Sequence, residues 1–171
     1  MGLVLFAIVG TVALTLAQAG DPPFAGKAAP ALALVDLEGR PVGLDRWRGR
    51  RLVVHFHPQD DTPECLEVLR GFEGLLPEIE RAGLAFAAVG VSDPGKATAY
   101  RSQQALALPM FCDPGGRSAR AYGTLVNLVF MRFARKCTVV IDGQGRLERV
   151  WTRSLGPEQV QALKDYLQLA S

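Results

Sequence analysis

The apolar residues of this chain fall into short β-branched runs and longer segments with helical spacing, a pattern that predicts alternating strands and helices. The run 52–57 and the almost wholly apolar run 84–91 predict two buried strands. Between them, apolar residues recurring every three or four positions predict a helix over 62–82. Thr62 suits the N-cap of this helix and Pro63 suits its first position.

The remaining segments complete an α/β order. They predict a strand over 31–36, a turn at Glu38-Gly39, a short strand near Pro41-Val42, a helix from Asp93 to about Leu106, a brief strand over 109–111, a short helix over 118–122, a hairpin of strands 137–141 and 147–151, and a last helix over 157–169. This order predicts a thioredoxin-like fold, with a central mixed β-sheet, helices on both faces and an N-terminal hairpin.

The first nineteen residues have a different character. Residues 2–20 carry no charge, and Ala17-Gln18-Ala19 has the small-x-small form of a signal-peptidase site. No Lys or Arg precedes the apolar run, whose length is close to the ~20 residues that a membrane helix needs. Residues 1–19 are therefore predicted to be a signal peptide or an N-terminal membrane anchor. Either places the domain of residues 20–171 outside the cytoplasm, as an exported, periplasmic or membrane-anchored protein.

Composition and charge argue against a nucleic-acid partner. A chain of 171 residues with 49% hydrophobic content suits one domain with a sizeable core. The net charge is only +2, and no basic cluster is denser than Arg48-Gly-Arg-Arg51. This is too little positive charge for a nucleic-acid partner.

The candidate chemistry lies where the strand 52–57 meets the helix 62–82. Cys65 falls in the first turn of that helix, where the unpaired N–H groups and the helix dipole favour thiolate over thiol. The Thr62 hydroxyl is near enough to cap the helix or to bind the sulfur. The carboxylate of Glu64 opposes the thiolate unless a cation offsets it.

The segment Pro58-Gln-Asp-Asp-Thr62-Pro-Glu-Cys65, directly after an apolar strand, resembles the signature of the peroxiredoxins. With His57 in front, it is most similar to the bacterioferritin comigratory protein or peroxiredoxin Q branch. The resemblance extends over about residues 24–170, through an ordered series of further segments: Gly26-Lys-Ala-Ala-Pro30, Asp36-Leu-Glu-Gly-Arg-Pro-Val, Val89-Gly-Val-Ser-Asp93, Leu108-Pro-Met-Phe-Cys-Asp-Pro-Gly-Gly and Thr138-Val-Val-Ile-Asp-Gly-Gln-Gly145.

The resemblance implies a thiol-dependent peroxidase that reduces hydrogen peroxide and organic hydroperoxides. Cys65 would become a sulfenic acid, Thr62 would orient the peroxide, and Pro58 would shield the sulfenate. The family's arginine, two residues before the threonine that matches Thr138, is replaced here by Lys136, with Arg135 just before it. No cofactor and no metal is implied. The reductant would be a thioredoxin-like protein or a low-molecular-weight thiol.

The other two cysteines leave the recycling step open. The branch often carries a resolving cysteine five residues after the peroxidatic one, but this chain has Arg70 there. Cys112, predicted in a loop, is the candidate resolving cysteine, and Cys137, at the start of a strand, is predicted to be core. Resolution by an external thiol is the alternative.

Several readings of smaller features also stay open. His55 and His57 share a face and are expected in the core or beside the thiolate rather than on a metal. The apolar link containing Phe130, Met131 and Phe133 is either ordinary loop packing, a dimer patch or a docking surface for a membrane or reductant, and the chain is a monomer or a homodimer.

Two other functional classes are considered. A thiol-disulfide oxidoreductase shares the fold but needs a C-x-x-C motif, which Cys65 lacks. A non-catalytic redox-sensing relative would fit Lys136 and the missing resolving cysteine.

Overall fold

The computed structural model of the chain describes residues 26–58, 62–128, 130–152 and 157–169. Its strands are β1 (Leu34–Val35), β2 (Pro41–Val42), β3 (Arg51–His57), β4 (Leu84–Gly90), β5 (Met110–Cys112), β6 (Leu125–Asn127), β7 (Arg132–Ala134), β8 (Cys137–Ile141) and β9 (Leu147–Trp151). Its α-helices are α1 (Pro63–Arg81), α2 (Pro94–Gln103), α3 (Arg117–Ala121) and α4 (Pro157–Leu169).

Seven strands form one mixed sheet in the order β2-β1-β5-β4-β3-β8-β9. The three central strands β5, β4 and β3 are parallel, and β8 and β9 continue the sheet in antiparallel fashion. Every residue of β4 is buried, as expected for a strand covered on both faces. The predicted mixed sheet, N-terminal hairpin and C-terminal hairpin are confirmed.

The two faces of the sheet are covered by different elements. On one face, α1, α2 and α4 enclose a cluster that includes Cys65, Phe72, Tyr100 and Leu163. On the other face, the cover consists of α3, the 3-10 turn Leu44–Trp47 and the small β6–β7 hairpin. The first cluster therefore contains the long helices, and Cys65 lies within it.

Two predicted elements are shorter than expected. The predicted strand 31–36 is reduced to Leu34–Val35, because the Ala33 N–H donates to the Ser118 hydroxyl and not to a neighbouring strand. The predicted helix to Leu106 ends at Gln103. Ala105 has a left-handed φ of 48°, and Leu106 N–H bonds back to the Arg101 carbonyl to close the helix end.

One further prediction was wrong in kind. Cys112 is not in a loop but is the last residue of β5, where it pairs with Gly90 and Val35. The apolar link around Phe130 is part of a hairpin, because β6 and β7 pair in antiparallel fashion on either side of Phe130. This two-stranded sheet was not predicted, since its strands have only three residues each.

Residues 1–19, predicted to be a signal peptide or an anchor, lie outside the described residues. Within the ranges that the structure does describe, no helix is both long enough and apolar enough to cross a bilayer.

Candidate active site

The candidate active site is built at the junction between β3 and α1. β3 ends at His57, and Thr62 is the N-cap of α1 with extended φ and ψ of −68° and 140°. Its Oγ1 accepts a hydrogen bond from the Cys65 backbone N–H at 3.3 Å, and its carbonyl accepts one from Leu66 N–H at 3.1 Å. The Thr62 hydroxyl thus satisfies one of the N–H groups that a helix start leaves unpaired, as the sequence predicts, and its carbonyl accepts the first hydrogen bond within the helix.

The Cys65 side chain points away from water into the core. Only 1% of the residue is exposed, whereas Thr62, Pro63 and Glu64 just before it are exposed. Pro58 is half-buried at the end of β3.

The cation that offsets the carboxylate of Glu64 is Lys136. Its Nζ lies 2.6 Å from Glu64 Oε1, and its side chain is only 16% exposed. The carboxylate next to Cys65 is therefore paired with an opposite charge, so its unfavourable effect on a Cys65 thiolate is offset.

Arg135 lies elsewhere. It is exposed, and its backbone N–H donates to the Thr124 carbonyl. Together with Tyr122 and Val139 it lines a groove of about 690 Å³, which Lys136 also lines. Tyr122 and Val139 belong to the core on the other face of the sheet from Cys65. Of the two candidate cations, Lys136 is the one that contacts the first turn of α1.

A buried chain of hydrogen bonds runs from β3 to Lys136. The Gln159 amide donates through Nε2 to the Lys136 carbonyl at 3.4 Å and accepts through Oε1 from the Thr138 hydroxyl at 2.7 Å. The hydroxyl has given its one proton to Gln159, so it accepts from His55 Nδ1 at 2.9 Å. His55, Thr138 and Gln159 are all fully buried. The chain ties β3, β8 and α4 to the backbone of the residue that pairs with Glu64.

Gln159 was missed by the sequence analysis. A signal for it existed, because Gln159 is four residues before Leu163 and so lies on the buried side of α4 with Leu163 and Leu167. A polar residue in an apolar phase of a helix indicates a buried hydrogen-bond partner.

The two histidines stack in the core. The rings of His55 and His57 lie 6.2 Å apart and almost parallel, and His57 also stacks on Tyr100. Burial lowers the pKa of His55 well below its ordinary 6.5, and the charges of His57 and Lys136 act in the same direction. His55 is therefore neutral at physiological pH. Within the described ranges, no three His, Cys, Asp or Glu side chains come together as metal ligands.

The remaining cysteines are reduced, buried thiols. Burial raises the pKa of Cys137 to about 12 and also raises the pKa of Cys112. The prediction that Cys137 is a core residue is confirmed. Cys112 lies at the carboxyl edge of the sheet, next to Gly90, which in turn pairs with His57. It thus shares an edge with the end of β3 but is protonated and fully enclosed.

The chain belongs to the AhpC/TSA family, whose sequence profile matches residues 25–150. A putative peroxiredoxin of Mycobacterium tuberculosis is 35% identical over 126 residues, which cover 71% of this chain and 80% of the relative. A chloroplastic peroxiredoxin Q of Populus jackii is 25% identical over 134 residues, which cover 78% of this chain and 62% of the relative. The chain thus spans less than two thirds of the length of this plant relative.

Solved structures confirm the thioredoxin-like fold. Peroxidoxin BcpB from Mycobacterium tuberculosis matches with a TM-score of 0.72 at 20% identity, over 85% of this chain and 94% of that one. The bacterioferritin comigratory protein of Xanthomonas campestris matches with a TM-score of 0.71 at 23% identity, over 82% and 92%. The family match and the peroxiredoxin relatives confirm the resemblance to the peroxiredoxin Q and bacterioferritin comigratory branch.

Because the folded state keeps His55 neutral, we expect stability to fall as the pH is lowered. The unfolded chain binds a proton on this ring near pH 6.5 and the folded chain does not, so each pH unit below that value costs up to about 1.4 kcal/mol. Urea unfolding between about pH 7.5 and about pH 5 measures this slope. His55→Asn removes the titrating ring while keeping a polar atom towards Thr138, and its slope should be shallower by that amount.

The test compares how steeply the free energy of unfolding changes with pH in the two proteins, so an overall loss of stability in His55→Asn does not affect it. An equal slope in both proteins would mean that His55 titrates alike in the folded and unfolded states, and that the account of its burial is wrong.

Proposed function

We propose that this protein is a thiol-dependent peroxidase that reduces hydrogen peroxide and organic hydroperoxides through Cys65. The observation that carries the proposal is the position of Cys65 in the first turn of α1, capped by Thr62, in a chain of the AhpC/TSA family. The Xanthomonas campestris relative is described with alkyl peroxide reduction activity, which supports the same reaction class.

The reaction has two halves. The Cys65 thiolate attacks the terminal oxygen of the peroxide, an S–O bond forms as the O–O bond breaks, and the departing oxygen takes a proton to become water or an alcohol. The resulting sulfenic acid then reacts with a thiol to give a mixed disulfide and water. A second thiol attacks that disulfide, which restores the Cys65 thiol and releases an oxidised reductant.

The neighbouring residues act on the charge that moves in the first half. Thr62 orients the peroxide against the sulfur, and Pro58 shields the sulfenate from further oxidation. The Lys136 ammonium stabilises the developing negative charge on the leaving oxygen and offsets Glu64. Arg135 is assigned no part in the reaction, since among the described residues it is Lys136 whose side chain pairs with Glu64 in the first turn of α1.

We assign the second half to an external thiol, supplied by a thioredoxin-like protein or a low-molecular-weight thiol. Cys112 is the internal alternative, but burial raises the pKa of its thiol and it has no exposed surface. A protonated, enclosed thiol is a poor nucleophile for a sulfenic acid. To form a disulfide, its Cα would also have to come within about 7 Å of the Cys65 Cα.

We place the protein outside the cytoplasm, as an exported, periplasmic or membrane-anchored enzyme. The support is the sequence alone: an uncharged apolar stretch over residues 2–20 that ends in a small-x-small site. A thiol-disulfide oxidoreductase is not favoured, because Cys65 is followed by Leu66-Glu67-Val68 without a second cysteine.

Intact-mass analysis tests the nucleophile and the recycling mode together. The reduced protein receives about one equivalent of hydrogen peroxide in the presence or absence of dimedone, beside Cys65→Ser and Cys112→Ser. We expect a gain of about 16 mass units, trapped by dimedone, in the wild type and in Cys112→Ser, and none in Cys65→Ser.

A loss of about two mass units that disappears in both variants would instead make Cys112 the resolving cysteine. Oxidation that persists in Cys65→Ser would contradict the assignment of Cys65.

A charge series tests the role of Lys136. We expect Lys136→Met to slow Cys65 oxidation roughly 100-fold, because a preorganised cation beside the leaving oxygen is lost and Glu64 is left unpaired. Lys136→Arg keeps the charge and should stay within about tenfold, whereas Arg135→Met is the matched control and should stay within about threefold. The measurement is the second-order rate constant with hydrogen peroxide.

Glu64→Gln separates the two expected actions of Lys136, which are stabilisation of the leaving oxygen and neutralisation of Glu64. If Lys136 acts partly by neutralising Glu64, the double variant Glu64→Gln/Lys136→Met should react faster than Lys136→Met alone. Equal losses in Lys136→Met and Arg135→Met would show that neither residue has a specific role.

A further inference from the structure

The turn of the β6–β7 hairpin presents large apolar side chains to solvent. Phe130 is 98% exposed, and Leu128 and Met131 on either side of it are 54% and 57% exposed. The Leu128 N–H donates to the Met131 carbonyl at 2.9 Å, so the three side chains project from one closed turn. We call Leu128, Phe130 and Met131 the apolar tip. Of the described residues, these three are the exposed large hydrophobic ones.

The chain around the apolar tip is strongly cationic. From Pro114 to Ile141 the sequence contains no Asp or Glu but five basic residues: Arg117, Arg120, Arg132, Arg135 and Lys136. The four arginines are exposed, and within the part of the chain that the structure describes none of them pairs with a carboxylate. Lys136 is the exception, since it pairs with Glu64.

Arg132 connects the two features. It follows Met131 directly as the first residue of β7, and its Nε donates to the Asn127 side chain at 3.0 Å across the base of the turn. A fixed guanidinium therefore lies one residue from the apolar side chains. Apolar residues at the end of a protrusion with cations behind them are the arrangement by which peripheral proteins enter the interface of an anionic membrane.

We propose that the apolar tip inserts into the surface of an anionic phospholipid bilayer, with the Arg132 guanidinium on the lipid headgroups. A stable protein partner would need about 800 Å² on each side, which the three side chains of a narrow hairpin turn do not supply. Membrane insertion needs only a few apolar side chains and an electrostatic attraction, and both are present. The cationic surroundings also disfavour a second copy of the same hairpin, because its like charges would repel.

This docking does not depend on the peroxidase reaction. It involves the β6–β7 hairpin, on the opposite face of the sheet from the cluster that contains Cys65. The apolar stretch over residues 2–20 would bind a bilayer by itself if retained, so the test must report on the apolar tip and not on attachment of the whole chain.

A tryptophan placed at the tip gives such a local signal. The chain of residues 1–171 carrying Phe130→Trp is mixed with phosphatidylglycerol vesicles whose acyl chains are brominated near the headgroup, and the wild type measured in parallel accounts for Trp47 and Trp151. We expect the fluorescence added by Phe130→Trp to shift to the blue and to fall by about half relative to unbrominated vesicles. Phosphatidylcholine vesicles should give a much smaller effect.

Gln161→Trp is the matched control, because Gln161 is exposed on α4 against the other face of the sheet. Its added fluorescence should not be quenched. Arg132→Glu in the Phe130→Trp protein should reduce the quenching severalfold, whereas Lys164→Glu, the same charge change on α4, should not.

Two results would overturn the proposal. One is absent quenching in Phe130→Trp, or equal quenching in Gln161→Trp, on vesicles that bind the protein. The other is a dimer in sedimentation velocity without vesicles that Phe130→Ser converts to a monomer, which would make the apolar tip an interface between two copies of this chain.

Discussion

The hydrogen bond from the Cys65 N–H to the Thr62 hydroxyl fixes the geometry on which the rest of the site depends. It starts α1 directly after β3 and sets the sulfur in the first helical turn, where the helix dipole favours a negative charge. The helix that follows is held by Phe72 and its neighbours against the sheet. The backbone at the start of α1 thus supplies a field that favours a thiolate at this position.

Charge balance is the second constraint. Glu64 puts a carboxylate next to Cys65, and Lys136 pairs with that carboxylate. The backbone of Lys136 is held by Gln159, which in turn is hydrogen-bonded to Thr138 and, through it, to His55. The buried polar chain has a definite direction at every bond, and burial keeps His55 neutral by lowering its pKa. Lysine at this position thus fits a carboxylate that accompanies it, and the pair acts as one unit in the electrostatics of the site.

Much of the fold and of the start of α1 could be predicted from local sequence patterns. The alternation of apolar segments gave the mixed sheet, and Thr62-Pro63 marked the start of α1 to the residue. Tertiary contacts decided what was missed: Ser118 takes the Ala33 N–H that a longer β1 would use, and the left-handed Ala105 ends α2 early. The pairing of Glu64 with Lys136 joins residues far apart in sequence, which no local pattern reveals. The exposure of Phe130 could not be predicted either, because the sequence of an apolar link does not show whether its side chains pack inward or project into solvent.

The central claim is that the β3–α1 junction makes Cys65 a peroxide-reactive nucleophile. The most direct test is the stopped-flow rate constant for oxidation of Cys65 by hydrogen peroxide at neutral pH, in a Cys112→Ser/Cys137→Ser protein, compared with free cysteine. The account predicts a rate at least roughly a thousandfold above that of free cysteine, because the preorganised charges act on the transition state. A rate no faster than free cysteine would contradict it and would favour a non-catalytic, redox-sensing protein on the same fold.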